Sequence, residues 1–111
     1  MASSEEFVTY VAEQLADAGT IIYKKMFGEY GIYCDGTFFA CVCDNQFFVK
    51  ITDEGQKILQ NPETAPPYEG AKPSFLITEL DDKELLCKLA ITTCESLSKS
   101  KTKKRGKTKN A

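Results

Sequence analysis

Between residues 21 and 52 the sequence breaks into four short β-rich runs, IIYKKMF, YGIYC, TFFACVC and QFFVKIT, divided by the pairs Gly28-Glu29, Asp35-Gly36 and Asp44-Asn45. Runs this short, joined by turn pairs of that chemistry, fold back on one another, because Asp-Gly and Asn-containing pairs accept the positive φ of tight hairpins. The result is an antiparallel meander of four strands. Two-residue loops at Asp35-Gly36 and Asp44-Asn45 set the register, placing Cys34 opposite Thr37 and Cys43 opposite Gln46. Strict alternation then sorts the side chains. One face takes Gly31, Tyr33, Phe38, Ala40, Val42, Phe47, Val49 and Ile51, carries no charge, and is expected to pack on helices. The other takes Tyr30, Ile32, Cys34, Thr37, Phe39, Cys41, Cys43, Gln46, Phe48, Lys50 and Thr52. On that mixed face Tyr30, Phe39 and Phe48 amount to roughly a few hundred Å² of apolar surface, the size at which an exposed patch implies a partner or a cover.

Helical spacing flanks the meander on both sides. Ser3-x-x-Glu6 fits a capping box, and Phe7, Val11, Leu15 and Ala18 follow at helical intervals until Gly19. Asp53 is placed to cap a short helix from Glu54 to Gln60, weakened by Gly55 and ended by Pro62. The stretch NPETAPPYEGAKP is rich in breakers and reads as a loop, after which PSFLIT offers one more short strand. Asp81 and Asp82 suit a helix N-terminus, and Leu85, Leu86, Leu89, Ala90, Cys94 and Leu97 supply the apolar stripe of a closing helix. With 111 residues there is material for one core. The expected fold is α+β: an antiparallel sheet of four to five strands, a meander, with N- and C-terminal helices packed on one face.

Charge divides the chain at residue 98. Lys99, Lys101, Lys103, Lys104, Arg105, Lys107 and Lys109 are half of its fourteen basic residues, whereas residues 1–98 carry sixteen acids against seven bases. A domain over 1–98 followed by a disordered basic tail over 99–111 is the expectation, since the tail has almost nothing to bury. A body of that sign repels phosphate, so nucleic-acid contact through simple charge is assigned to the tail.

The five cysteines, Cys34, Cys41, Cys43, Cys87 and Cys94, are an odd set without zinc spacing, and the chain has no histidine. They read as free, buried thiols. The longest apolar run, from Phe38 to Cys43, is far too short to span a bilayer, and the acidic start MASSEEF lacks the pattern of an export signal. A cytoplasmic location is expected.

The segment Lys25-Met26-Phe27-Gly28-Glu29-Tyr30-Gly31-Ile32-Tyr33, followed by Asp35-Gly36, Phe39-Ala40 and Phe48-Val49-Lys50, resembles the N-terminal domain of the TfoX/Sxy family. The likeness extends more weakly through Pro67-Tyr68 and 74–80 into the closing helix. Glu29 stands where that family usually has glycine, and the stretch from Lys72 to Phe75 departs from its common pattern. The resemblance implies a stand-alone N-terminal domain of a family whose full-length competence regulators resemble transcription co-activators, with the second, helical domain of those proteins replaced by the basic tail.

The residues themselves offer no reaction. There is no nucleophile–base pair, no phosphate-binding loop and no glycine-rich dinucleotide pattern, and Asp81-Asp82 is explained by helix capping. A non-catalytic regulatory, protein-binding module is expected, requiring no cofactor and no metal, with transcriptional control as its setting. The gly-rich corner Gly28–Gly31 steers the second strand, or holds Glu29 and Tyr30 out for a partner. Glu29, Tyr30, Phe39, Phe48 and Lys50 are the candidate contact residues, with a protein partner or a second copy as occupant and a homodimer as the expected assembly. The alternative is weak, sequence-independent nucleic-acid binding through the tail, which lacks aromatic residues to stack bases.

Overall fold

The computed structural model describes residues 4–26 and 29–109, with side chains as far as 98. Helix α1 spans Glu5–Leu15 and is capped by Ser4, whose Oγ accepts the Phe7 N–H at 3.2 Å. The cap is therefore one residue later than the Ser3-x-x-Glu6 spacing suggests. The helix turns Val8, Val11 and Leu15 into the core and ends in a 3-10 turn, Ala16–Ala18.

Strands β1 (Ile21–Met26), β2 (Glu29–Cys34), β3 (Thr37–Cys43) and β4 (Gln46–Val49) form the meander. Asp35, Gly36, Asp44 and Asn45 all have positive φ, as two-residue hairpin turns require. The register matches the expectation at both turns, with Cys34 opposite Thr37 and Cys43 opposite Gln46.

Thr52, rather than Asp53, caps the short helix α2 (Asp53–Ile58), its Oγ1 accepting the Gly55 N–H at 2.9 Å. Gly55 is buried there for want of room. A Cβ would stand 3.2 Å from the Phe75 ring and 3.4 Å from Leu89, so the glycine lets α2 sit close against both.

The breaker-rich segment holds more order than its composition suggests. Glu63–Ala65 forms β5 and pairs with β6 (Ser74–Ile77), which in turn pairs with β4. The sheet thus has six antiparallel strands in the order β1-β2-β3-β4-β6-β5, one or two more than expected. Backbone pairing with β6 is what recruits Glu63–Ala65, a partner that local composition cannot reveal.

Helix α3 (Lys83–Lys109) begins with the Asp82 carboxylate accepting the Leu85 N–H at 3.1 Å, which is the capping role expected of it. The side chains from Lys99 onward, on which the expectation of a disordered basic tail falls, lie outside the described residues. α1 is tied to the segment before α3 by the Tyr10 hydroxyl donating to Asp81 and by Gln14 Nε2 donating to the Leu80 carbonyl at 2.7 Å.

One core fills the space between the sheet and the helices. Val8, Val11 and Leu15 from α1 and Leu86, Leu89 and Ala90 from α3 meet Tyr30, Ile32, Phe39, Val42, Phe47, Val49, Phe75 and Ile77 from the strands. Each large side chain buried this way contributes about 1.5–3 kcal/mol.

The strand parity expected from strict alternation holds for only part of the sheet. Ala40, Val42, Phe47 and Val49 face the helices, and Cys41, Cys43, Phe48 and Lys50 do not, as expected. In β2 and the start of β3 the assignment is inverted. Tyr30, Ile32, Cys34 and Phe39 belong to the core, whereas Gly31, Tyr33 and Phe38 lie on the outer face. The cause is a β-bulge: Ile32 pairs with Ala40 and Tyr33 with Phe38, leaving Phe39 as the extra residue of β3. An inserted residue shifts the alternation by one, so every side chain on the far side of the bulge changes face.

The cysteines are free, Cys34 and Cys43 buried and the other three half-buried. Among the described residues, no helix is long and apolar enough to cross a membrane.

Candidate binding face

The bulge decides which side chains reach solvent on the side of the sheet away from the helices. Tyr33 and Phe38, cross-strand neighbours on β2 and β3, meet there with ring centroids 5.3 Å apart and planes tilted by 40°. Lys24 on β1 places its Nζ 5.3 Å from the Tyr33 centroid, and Lys50, just past β4, places its Nζ 4.6 Å from that of Phe38. Four side chains from successive strands thus make a row of cation, ring, ring and cation. Both rings are half-buried and both lysines exposed.

Gly31 supplies the floor. A Cβ at this position would stand 2.6 Å from Met26 Cε and 3.0 Å from Phe38 Cε1, so both side chains lie across its bare backbone. Its requirement is close approach rather than a left-handed backbone, since it is absent from the positive-φ glycines of the described residues. Gly28, the other glycine of the corner, lies outside the described residues with Phe27. Beside the row, Ile22 and Met26 leave 48% and 37% of their surface exposed.

The residues singled out from sequence are distributed differently. Phe39 is completely buried in the core, and Tyr30, 7% exposed, packs edge-on against Tyr23 with centroids 5.7 Å apart. Neither reaches the outer face, because the bulge turns both inward. Phe48 does lie on the outer side, opposite Cys41 and Leu76, but is only 2% exposed within the single chain. Glu29 is half-buried, with Oε1 accepting the Asp44 N–H at 3.1 Å. Of the five, Lys50 alone joins the row, over Phe38; it shares the outer side with Phe48, whereas Phe39 lies on the other face. Lys24, Tyr33 and Phe38 were not among the candidates. The one local signal for them is the unbroken apolar run from Phe38 to Cys43, which by itself marks no alternation and so leaves the face of each residue open. The tail residues Lys99, Lys101, Lys103, Lys104, Arg105, Lys107 and Lys109 lie outside the described side chains.

Charge on this face differs from that of the body. On this side of the sheet Lys24 and Lys50 flank the two rings, while the acids Glu29 and Glu63 lie away from the row, at the end of β2 and on β5. On the helix side, Asp35, Asp53, Glu54 and Glu95 line an open groove that also contains Cys34, Ile51 and Ile91.

The thiols of the outer face are held neutral. Burial, with Cys43 and Glu29 adding to it, pushes Cys41 up to about 12, and burial likewise raises Cys43. Their sulfurs stand 3.9 Å apart. Neutral thiols are poor nucleophiles, so the face offers contact surface and charge. Among the described residues, no group of three or more acidic or cysteine side chains is placed to hold a metal ion.

Comparison with known proteins places this architecture. A protein of Spirochaeta aurantia, described as an uncharacterized 12.7 kDa protein in the trpE 5′ region, is 36% identical over 72 residues. The match spans 65% of this chain and 63% of that protein, just under two thirds of its length. A family model described as the TfoX N-terminal domain matches residues 13–97, more than half of the chain, and the chain belongs to the TfoX N-terminal domain family.

Proposed function

We propose that this protein is a non-catalytic regulatory module that acts by reversible binding through the outer face of its sheet. Membership of the TfoX N-terminal domain family supports a regulatory role. The observation that carries the reading is the row Lys24, Tyr33, Phe38 and Lys50 on the side of the sheet opposite the core helices. Paired rings with flanking cations resemble the aromatic and basic side chains that dominate binding energy at contact surfaces. Phe39 and Phe48, the aromatic pair behind the expectation of self-association, are both covered within one chain, which moves the working surface to the row.

Affinity capture from native lysate, with and without nuclease, tests this reading using the full chain beside a Lys24→Glu/Lys50→Glu variant. Reversing two exposed charges leaves the core untouched. A bound species retained by the full chain and lost by the variant supports the reading; an identical set on both contradicts it. The second reading, sequence-blind nucleic-acid association through the seven cations from Lys99 to Lys109, rests on their density. It calls for retention that nuclease abolishes and that the two outer-face substitutions leave unchanged.

A further inference from the structure

We propose that the outer face is a stacking platform for single-stranded nucleic acid, with unpaired bases on Tyr33 and Phe38 and phosphates at Lys24 and Lys50. This rests on the outer face being the working surface and names its partner class. The body as a whole is acidic, and simple charge assigns nucleic acid to the tail; the distribution of that charge changes the conclusion. The outward side of the sheet carries Lys24 and Lys50 at the two ends of the ring pair, Glu29 at the end of β2, with its carboxylate accepting the Asp44 N–H, and Glu63 away from the row on β5, opposite Leu76. Asp35, Asp53, Glu54 and Glu95 instead gather in the groove on the helix side. Sheet and core therefore stand between the lysine-flanked rings and these four carboxylates.

The ring geometry selects the ligand further. Two partly exposed aromatic rings on neighbouring strands, flanked by cations, are the arrangement by which sheets hold unpaired bases without reading their sequence. In the free protein each lysine ammonium rests over a ring, 5.3 Å from Tyr33 and 4.6 Å from Phe38. An arriving base takes the ring face, a stronger contact than an exposed cation there, and the displaced ammonium reaches a phosphate on its flexible stem. The row crosses three strand spacings, roughly 15 Å, which limits the footprint to about four stacked nucleotides. A duplex hides its base faces and cannot use the rings.

The experiment measures binding of the full chain by fluorescence anisotropy to a labelled oligodeoxythymidine, its RNA counterpart, a duplex of equal length and a polyglutamate peptide. Tyr33→Leu and Phe38→Leu keep apolar bulk and remove the stacking surface; thermal unfolding verifies that each folds. A full-length variant with all seven tail cations changed to Gln separates the tail. The proposal expects single strands to bind more tightly than duplex, a loss of about ten-fold for each Leu substitution, and a salt slope reduced by about 0.7 for each of Lys24→Gln and Lys50→Gln. Binding that survives the Leu variants and vanishes with the tail cations overturns it. So does binding of polyglutamate in preference to either single strand, a result that leaves the outer face as the working surface and makes the partner an acidic protein. Absence of binding to every probe also overturns it, while the lysate capture still decides the broader reading.

Discussion

Phe39 and Ala40 are consecutive in β3, yet both face the helices, 0% and 2% exposed. Ala40 reaches the core by regular pairing, opposite Ile32 on one side and Val49 on the other. Phe39 reaches it through the bulge, its carbonyl accepting the Lys50 N–H at 2.9 Å. That backbone bond leads the chain out of β4 so that the Lys50 side chain comes over Phe38. One extra residue thus fills the core with Phe39 and sets Phe38 beside Tyr33 outside.

The two adjacent phenylalanines should therefore differ sharply in their contribution to stability. Phe39→Ala opens a cavity in a closed core and is expected to cost about 3–5 kcal/mol. Phe38→Ala removes a half-buried ring and is expected to cost about 1 kcal/mol. Urea denaturation of both variants checks the ordering, and strict alternation requires the reverse.

Gly31→Ala places a methyl group against Met26 Cε and Phe38 Cε1. Met26 has a flexible end that can move away, whereas the Phe38 ring is held by Tyr33 and Lys50. The substitution is expected to cost about 1–2 kcal/mol. Shortening the neighbour in a Met26→Ala background should recover part of that cost, read as a coupling energy in a double-mutant cycle. Strict additivity would mean that the two residues do not touch.

Thr93 on α3 is completely buried, and its hydroxyl has no hydrogen-bond partner among the described residues. Valine has the same shape without the group that must be stripped of water. Thr93→Val is expected to stabilise the fold by about 1 kcal/mol, seen as a higher urea midpoint. A loss of similar size would show that the hydroxyl has a partner in solution.

Alkaline pH should weaken the fold through its thiols. Burial is the main cause that pushes Cys41 and Cys94 up to about 12 from an ordinary 9.0. Below the ordinary value both states keep these protons and the thiols leave stability unchanged. As pH rises from about 9 towards 12, the unfolded chain ionises while the folded chain resists, so unfolding becomes easier. Urea midpoints should hold steady from about pH 7 to 8.5 and then fall. A Cys41→Ala/Cys94→Ala variant should fall less steeply over the same range; parallel curves would contradict the assignment to these two thiols.

Local chemistry made much of this fold legible. Asp35-Gly36 and Asp44-Asn45 announce their turns because positive φ is a property of those residues, and the spacing of Leu86, Leu89 and Ala90 announces α3 because a helix face repeats locally. β5 was hidden, since Glu63–Ala65 becomes a strand only by pairing with β6. The candidate site was hidden for a related reason. Counting from a turn carries parity forward faithfully until a residue is inserted, and the bulge at Phe39 answers to the space beneath the sheet rather than to any turn residue. Strict counting therefore puts Tyr30 and Phe39 outside and Tyr33 and Phe38 inside, whereas Lys50, counted from the other side of the bulge, comes out on the outer side where the structure has it. Gly31 was flagged by its motif, but its use, as bare backbone beneath Met26 and Phe38, depends on packing across strands.

Backbone-amide NMR during titration of the full chain with an oligodeoxythymidine single strand tests the assignment of the working surface most directly. The largest shift changes should fall on Lys24, Tyr33, Phe38 and Lys50, with the core strands' neighbours following and the α1 amides unmoved. Changes confined to residues beyond 98, or to the acidic groove around Asp35 and Glu95, would contradict the account.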